Sequence, residues 1–284
     1  MGVERCKVCF RHCSIEEGAL GFCKARTCRD GKIVADNYGR ITSLALDPIE
    51  KKPLNRFFPG SMILSVGSYG CNLRCPFCQN HDISWSERAF SFREDAEYVS
   101  PEDLVQVALK CRSRGNIGLA FTYNEPLIGY EYVRDTAKLS HEAGMKNILV
   151  SNGTAAPEIL DELIPWIDAM NIDLKGFTDE YYSGLLGGSR QMTLSFIEEA
   201  VKHCHVELTM LIIPGENDSD EEMLRVSEYI ASLDGGRGER IPFHISRFFP
   251  RFHMTDRPAT DVTRIRHLAQ LAQRKLKYVY LGNC

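Results

Sequence analysis

Nowhere in the 284 residues is there an apolar run long enough to span a membrane. The start, Met1-Gly-Val-Glu-Arg-Cys6, also lacks the apolar stretch of a signal peptide. A cytoplasmic protein is therefore expected. Excess basic charge is missing too. The formal net charge is −4 and the sequence pI about 6.1, which removes the broad positive footprint of a nucleic-acid binder. No low-complexity tract or internal repeat stands out. A last lack is more specific. After Cys71, Cys75 and Cys78 no fourth cysteine follows closely, the next being Cys111.

What the chain does have is cysteine, eleven in all. Without an export signal and with clustered spacings, they point to metal ligation in a reducing compartment rather than to disulfides. In Cys71-Asn-Leu-Arg-Cys75-Pro-Phe-Cys78 three thiols are spaced four and then three residues apart. Three such thiolates can hold three irons of a [4Fe–4S] cube, which needs four ligands. One iron is then open to an outside ligand, as binding and reductive cleavage of S-adenosylmethionine (SAM) require. A loop with incidental thiols, or half a zinc site, is the competing reading. Zinc ribbons usually pair two Cys-x-x-Cys halves, and no second half lies nearby.

Residues 1–60 read as a small cysteine-rich module and a connecting segment rich in breakers, Asp47-Pro48 through Pro59-Gly60. Residues 61–284 read as one larger domain in which strands and helices alternate. Strands are predicted over 61–66, 117–122, 146–150, 169–174, 206–213, 241–246 and 278–281. Helices are predicted over 100–114, 127–143, 157–164, 219–233 and 260–275, with another inside 194–203. This alternation predicts an α/β fold with a parallel sheet and right-handed crossovers. Polar and glycine-rich segments recur just after the strands, where a parallel barrel carries its active site.

The Cys71–Cys78 segment resembles the signature of the radical SAM superfamily, in which an aromatic, here Phe77, precedes the third cysteine. The resemblance implies an open, partial (β/α)6 barrel, a [4Fe–4S] cluster on Cys71, Cys75 and Cys78, and SAM on the fourth iron. It places Phe77 by the adenine. Tyr123-Asn124-Glu125-Pro126 is similar to the family's Gly-Gly-Glu-Pro-like motif, putting Glu125 and Asn124 by the methionine ammonium. Asn124 and Pro126 would equally serve as a helix start. Ser151-Asn152-Gly153 and Asp173-Leu174-Lys175 resemble the strand ends of pyruvate formate-lyase activating enzymes, which bring Asn152, Asp173 and Lys175 to the ribose or carboxylate. Ordinary turns would use the same residues. Ile213, before Pro214-Gly215, would flank adenine. His244 is read either as a cofactor contact or as a satisfied core histidine.

Cys6, Cys9, Cys13 and Cys23 offer four thiols within eighteen residues. A four-thiolate zinc site and a second iron–sulfur centre both satisfy them, and so small a block gains folding energy from either. Together with Asp47-Pro48-Ile49-Glu50-Lys51-Lys52-Pro53 and Arg247-Phe248-Phe249-Pro250, these segments resemble the radical SAM component of the AmmeMemoRadiSam system. That resemblance implies a 5′-deoxyadenosyl radical acting on an unidentified substrate, an electron donor such as ferredoxin or flavodoxin, and the system's other proteins as partners. Arg247, Phe249 and Arg251 would form a substrate-contacting lid, with packing of those rings onto the barrel as the alternative. Two rival functions stand: a glycyl-radical-enzyme activase, and a non-catalytic iron–sulfur electron carrier.

Overall fold

The computed structural model describes residues 2–284. Its centre is an eight-stranded sheet: β1 (Ser43–Pro48), β2 (Met62–Gly67), β3 (Asn116–Phe121), β4 (Lys146–Ser151), β5 (Ala169–Asp173), β6 (His205–Ile212), β7 (Phe243–Arg247) and β8 (Val279–Gly282). Strands β2 to β8 lie in sequence order and pair in parallel, while β1 pairs antiparallel with β2 at the edge. Strands β1 and β8 do not pair with each other, so the sheet curls without closing. The helices that follow the strands are α1 (Pro101–Lys110), α2 (Tyr130–Glu142), α3 (Pro157–Leu163), α4 (Arg190–Ala200), α5 (Asp220–Gly236, kinked at Leu233–Gly235) and α6 (Val262–Ala272). Several begin on caps legible in the sequence. The Ser100 hydroxyl accepts the Asp103 N–H at 3.1 Å, with Pro101 in the first turn, and the Ser219 hydroxyl accepts that of Glu222 at 3.1 Å.

Alternation within each strand divides the barrel into two layers. Leu64, Leu119, Leu149, Met170, Leu208 and Ile245 face outward and pack against helix residues such as Leu104, Val133, Ile197, Val226 and Leu268. Each such fully buried aliphatic side chain contributes about 1.5–3 kcal/mol. The inward-facing positions are smaller and more polar. Ile63, Ala120, Ile148 and Ala169 are covered there by Ile49 and Leu54, both fully buried. The segment expected to be a linker thus starts as a strand and then enters the barrel. Its prolines hide this in the sequence, because breakers mark a turn whether the turn is exposed or inserted.

Residues before β1 form a small module. Val3–Arg5 pairs antiparallel with Ser14–Glu16, and Arg26–Arg29 with Lys32–Ala35. It is tied to the barrel by the Arg26–Glu131 ion pair at 2.7 Å and by the Ala156 N–H donating to Val8 C=O at 2.8 Å.

Candidate active site

The loops after β2, β3, β4, β5 and β6 carry the expected site residues to one edge of the sheet, as parallel crossovers require. The first of them, the Cys71–Cys78 loop, is held from several sides. Gly70 N–H donates to Ile83 C=O at 2.8 Å, Arg74 N–H to Leu186 C=O at 2.9 Å, and His253 N–H to Pro76 C=O at 2.9 Å. Trp85 Nε1 donates to Cys75 C=O at 3.3 Å. All three thiols are free, with Cys75 buried and Cys71 and Cys78 partly so. They pack with Leu73, Phe77, Tyr181, Tyr182, Ile213, Phe248 and Met254 in one apolar cluster. Burial pushes the Cys75 thiol up to about 12 and raises Cys78. Burial, and then Glu125, raise Cys71. A protonated thiol is the form such surroundings favour until a metal replaces the proton.

Glu125 sits behind this loop, fully buried. One carboxylate oxygen accepts the Ser151 hydroxyl at 2.7 Å and the Leu127 N–H at 3.1 Å, and the other accepts the Asn152 N–H at 2.9 Å. Burial raises it to about 7 in spite of these donors. Asn152 joins β4 to the thiols. Its side-chain N–H donates to Asn72 Oδ1 at 2.9 Å and lies 3.9 Å from Cys71 Sγ. Asp173 and Lys175 pair at 2.7 Å. Burial works against the Lys175 charge, but Asp173 and Cys75 outweigh it and raise the ammonium. The sequence-predicted Phe77, Glu125, Asn152, Asp173, Lys175 and Ile213 therefore gather around the three thiols.

Others depart from expectation. Asn124 is consumed by bracing: its Oδ1 accepts the Ser68 N–H at 2.9 Å, and its Nδ2 donates to the Tyr69 and Gly70 carbonyls at 3.2 Å. It fixes the thiol loop to the end of β3 and has no side-chain donor to spare. His244 lies near the start of β7, where Nε2 meets Glu207 at 2.6 Å. Glu207 also accepts the Asn55 and Arg56 N–H groups at 2.9 and 2.7 Å. His244 is thus a satisfied interior histidine, and the cofactor assignment is corrected. Arg247 donates to Thr260 C=O at 2.7 Å and stacks on Phe249, 4.7 Å from its ring centre. Phe249 and Arg251 are exposed, whereas Phe248 and Met254 are buried against Phe77. The segment after β7 therefore packs on the thiol loop through Phe248 and Met254, while Phe249 and Arg251 face outward.

Two features escaped the sequence. Tyr181, in a π-type turn at Tyr181–Leu185, has a buried hydroxyl with no partner among the described residues. Gly176 permits its approach, since a Cβ there would stand 2.6 Å from the Tyr181 ring. Only the irregular stretch between β5 and α4 hinted at it. The second is Asp47, whose carboxylate accepts Lys52 at 3.0 Å and the Tyr123 hydroxyl at 2.8 Å. Burial opposes its charge, but these hydrogen bonds hold it well below the usual carboxylate range.

Three convergent thiols without a fourth, an orphaned hydroxyl beside them and a buried carboxylate behind them fit a cube with one open iron and an α-amino-carboxylate ligand. The site and the open barrel define an iron–sulfur enzyme built on a partial parallel barrel. The chain belongs to the Radical SAM superfamily, whose profile matches residues 65–226. Its cofactors are a [4Fe–4S] cluster and SAM. It is 38% identical over 98% of its length to an uncharacterized protein of Methanocaldococcus jannaschii, of which the alignment covers 81%. Pyruvate formate-lyase 1-activating enzyme of Escherichia coli K12 is 29% identical over 62% of this chain and 71% of that protein. Among solved structures, Streptococcus suis SuiB bound to SAM superposes with a TM-score of 0.58 at 14% identity. That match covers 78% of this chain and 52% of SuiB, so the chain spans about half of that protein.

Proposed function

We propose that this enzyme uses SAM cleavage to start hydrogen abstraction from a substrate of the AmmeMemoRadiSam type, with Cys71, Cys75 and Cys78 as the cluster ligands. When bound, the cluster and SAM supply the hard chemistry, one-electron cleavage of SAM to methionine and a 5′-deoxyadenosyl radical. The convergence of those thiols with Phe77, Ile213, Tyr181 and Glu125 at one rim carries the reading. Glu125 takes the methionine ammonium, a contact strengthened where water is excluded. Asn152 and the Asp173–Lys175 pair orient the ribose and carboxylate. Phe77 and Ile213 flank the adenine, and the Tyr181 hydroxyl donates to the ligand. Fixing reacting groups in this way is the protein's main contribution. Electrons come from a ferredoxin- or flavodoxin-class donor.

Two observations favour this substrate class over activation of a glycyl radical enzyme. Similarity to the Methanocaldococcus jannaschii protein runs through the cysteine module, whereas similarity to the activating enzyme covers 62% of the chain. The Asp47–Lys52 pair, bonded to the hydroxyl of Tyr123 two residues before Glu125, would also offer polar groups to a small molecule. The test is anaerobic incubation of reduced enzyme with SAM and either pyruvate formate-lyase or a deuterated small-molecule extract. Deuterium entering 5′-deoxyadenosine supports the reading; a glycyl radical signal on pyruvate formate-lyase refutes it.

A further inference from the structure

Cys6, Cys9, Cys13 and Cys23 come from two separate stretches of the amino-terminal module, yet they line one cavity with Arg11, Arg26 and Ile128. A zinc ion at about 2.3 Å from each sulfur draws four thiolates into a tight tetrahedron. Among the described residues, no three Cys, His, Asp or Glu side chains are gathered closely enough to share one metal ion. That holds for these four thiols and equally for Cys71, Cys75 and Cys78. The signature thiols give the internal reference: ligands of a cube stand further apart because each binds a different iron. The amino-terminal thiols are likewise not drawn together for a single ion, and four of them line one cavity where the signature set has three.

The two sets are also wired together. Cys71 N–H donates to Cys23 C=O at 3.2 Å. The Asn72 side chain faces the Cys9 thiol and also accepts from Asn152, whose amide lies 3.9 Å from Cys71 Sγ. Asn72 and Asn152 thus stand between Cys9 and Cys71. Gly70 makes the contact possible, since at φ +93° a Cβ would stand 2.6 Å from Cys23 O. Arg11 and Arg74 stack on the Phe22 ring at 3.3 and 3.9 Å. Arg11 reaches Asn72 C=O at 2.7 Å, and Arg74 reaches Cys71 C=O at 2.8 Å. These permanent cations between the two sets offset the negative charge that two thiolate-bound clusters bring.

We propose that Cys6, Cys9, Cys13 and Cys23 hold a second [4Fe–4S] cluster, which passes one electron to the cluster on Cys71, Cys75 and Cys78. The site stands on its own thiols, while the electron step rests on the SAM-cleaving reading given above. A ferredoxin- or flavodoxin-class protein, or dithionite, reduces the amino-terminal cluster from the 2+ to the 1+ state. It returns to 2+ as the signature cluster goes from 2+ to 1+. No bond breaks and no proton moves in the transfer.

The test uses the full chain, reconstituted anaerobically with iron, sulfide and zinc all present. The Cys71→Ala, Cys75→Ala, Cys78→Ala triple variant should retain about four irons and four sulfides per chain, with little zinc. About one zinc and no sulfide would overturn the proposal. For the electron step, wild type is photoreduced with 5-deazariboflavin, reduced clusters are counted by EPR, and SAM is added in the dark. Methionine should approach about two per chain, against about one in Cys6→Ser, Cys9→Ser protein that still carries about four irons. One methionine from wild type with both clusters reduced overturns the relay. If the triple variant holds its irons but wild type never cleaves SAM, the second site stands. In that case the SAM-cleaving reading falls, and the electron step falls with it.

Discussion

Glu125 offers a perturbation whose two effects separate. Its carboxylate accepts three protein donors, Ser151 O–H, Leu127 N–H and Asn152 N–H, and faces the signature thiols. Glu125→Ala removes all of these acceptors. Each orphaned buried donor costs about 1–3 kcal/mol, softened where water enters the space left behind. The same change removes the carboxylate proposed above to pair with the SAM ammonium. A hydrogen bond to a charged group contributes about 1.5–3 kcal/mol, which weakens SAM roughly 10- to 150-fold. Glu125→Gln keeps the shape and one oxygen but loses the charge, so its loss of stability should be much the smaller while SAM affinity still falls about tenfold. The assay is anaerobic equilibrium dialysis of SAM at pH 8, where a group titrating near 7 is ionised, alongside urea melts of the same proteins. A purely structural Glu125 would tie affinity to stability. If the Gln variant bound SAM within twofold of wild type, the assignment would be refuted.

Three further outcomes are expected. Tyr181→Phe removes a hydroxyl that has no partner, so stability of the SAM-free protein should stay level or rise by up to ~1 kcal/mol while SAM binds more weakly; a clear loss of stability would show that the hydroxyl is bonded within the protein. Glu207 is pulled down to about 2, burial opposing and His205, His244 and two backbone N–H groups prevailing. A depressed carboxylate stabilises above its unfolded value near 4.5, so wild type should exceed Glu207→Gln by roughly 3 kcal/mol at pH 7. In urea melts of apoprotein that margin should shrink from about pH 4.5 towards 2, and a margin independent of pH would contradict the linkage. Gly70→Ala adds a Cβ at 2.6 Å from Cys23 O at a positive φ. It should cost about 2–4 kcal/mol and loosen iron at both thiol sets, whereas unchanged iron retention would mean that the contact is dispensable.

The alternation of strands and helices was legible because each βα unit writes its period locally. The thiol loop was legible because its chemistry lies within eight residues, Cys71 to Cys78. What escaped depends on contacts distant in sequence. His244 looked like a rim residue because a strand's beginning and end are set by its neighbours; only the register beside Thr209 and the Glu207 contact place it inside. Strand β1 was masked by Pro48 and Pro53, and its pairing with β2 gives no local signal. Asn124 matched a motif position, yet its amide is used up by carbonyls more than fifty residues earlier in the chain. Tyr181 lies in a turn whose irregularity reads as loop until the ring is seen under Gly176.

The cluster at which SAM is cleaved is assigned to Cys71, Cys75 and Cys78. The most direct measurement is 5′-deoxyadenosine formed from SAM under dithionite by reconstituted wild type and by the Cys71→Ala, Cys75→Ala, Cys78→Ala triple variant, with iron counted in both. That assignment predicts product from wild type and none from the triple variant, even where iron stays on the amino-terminal thiols. Product from the triple variant would contradict it.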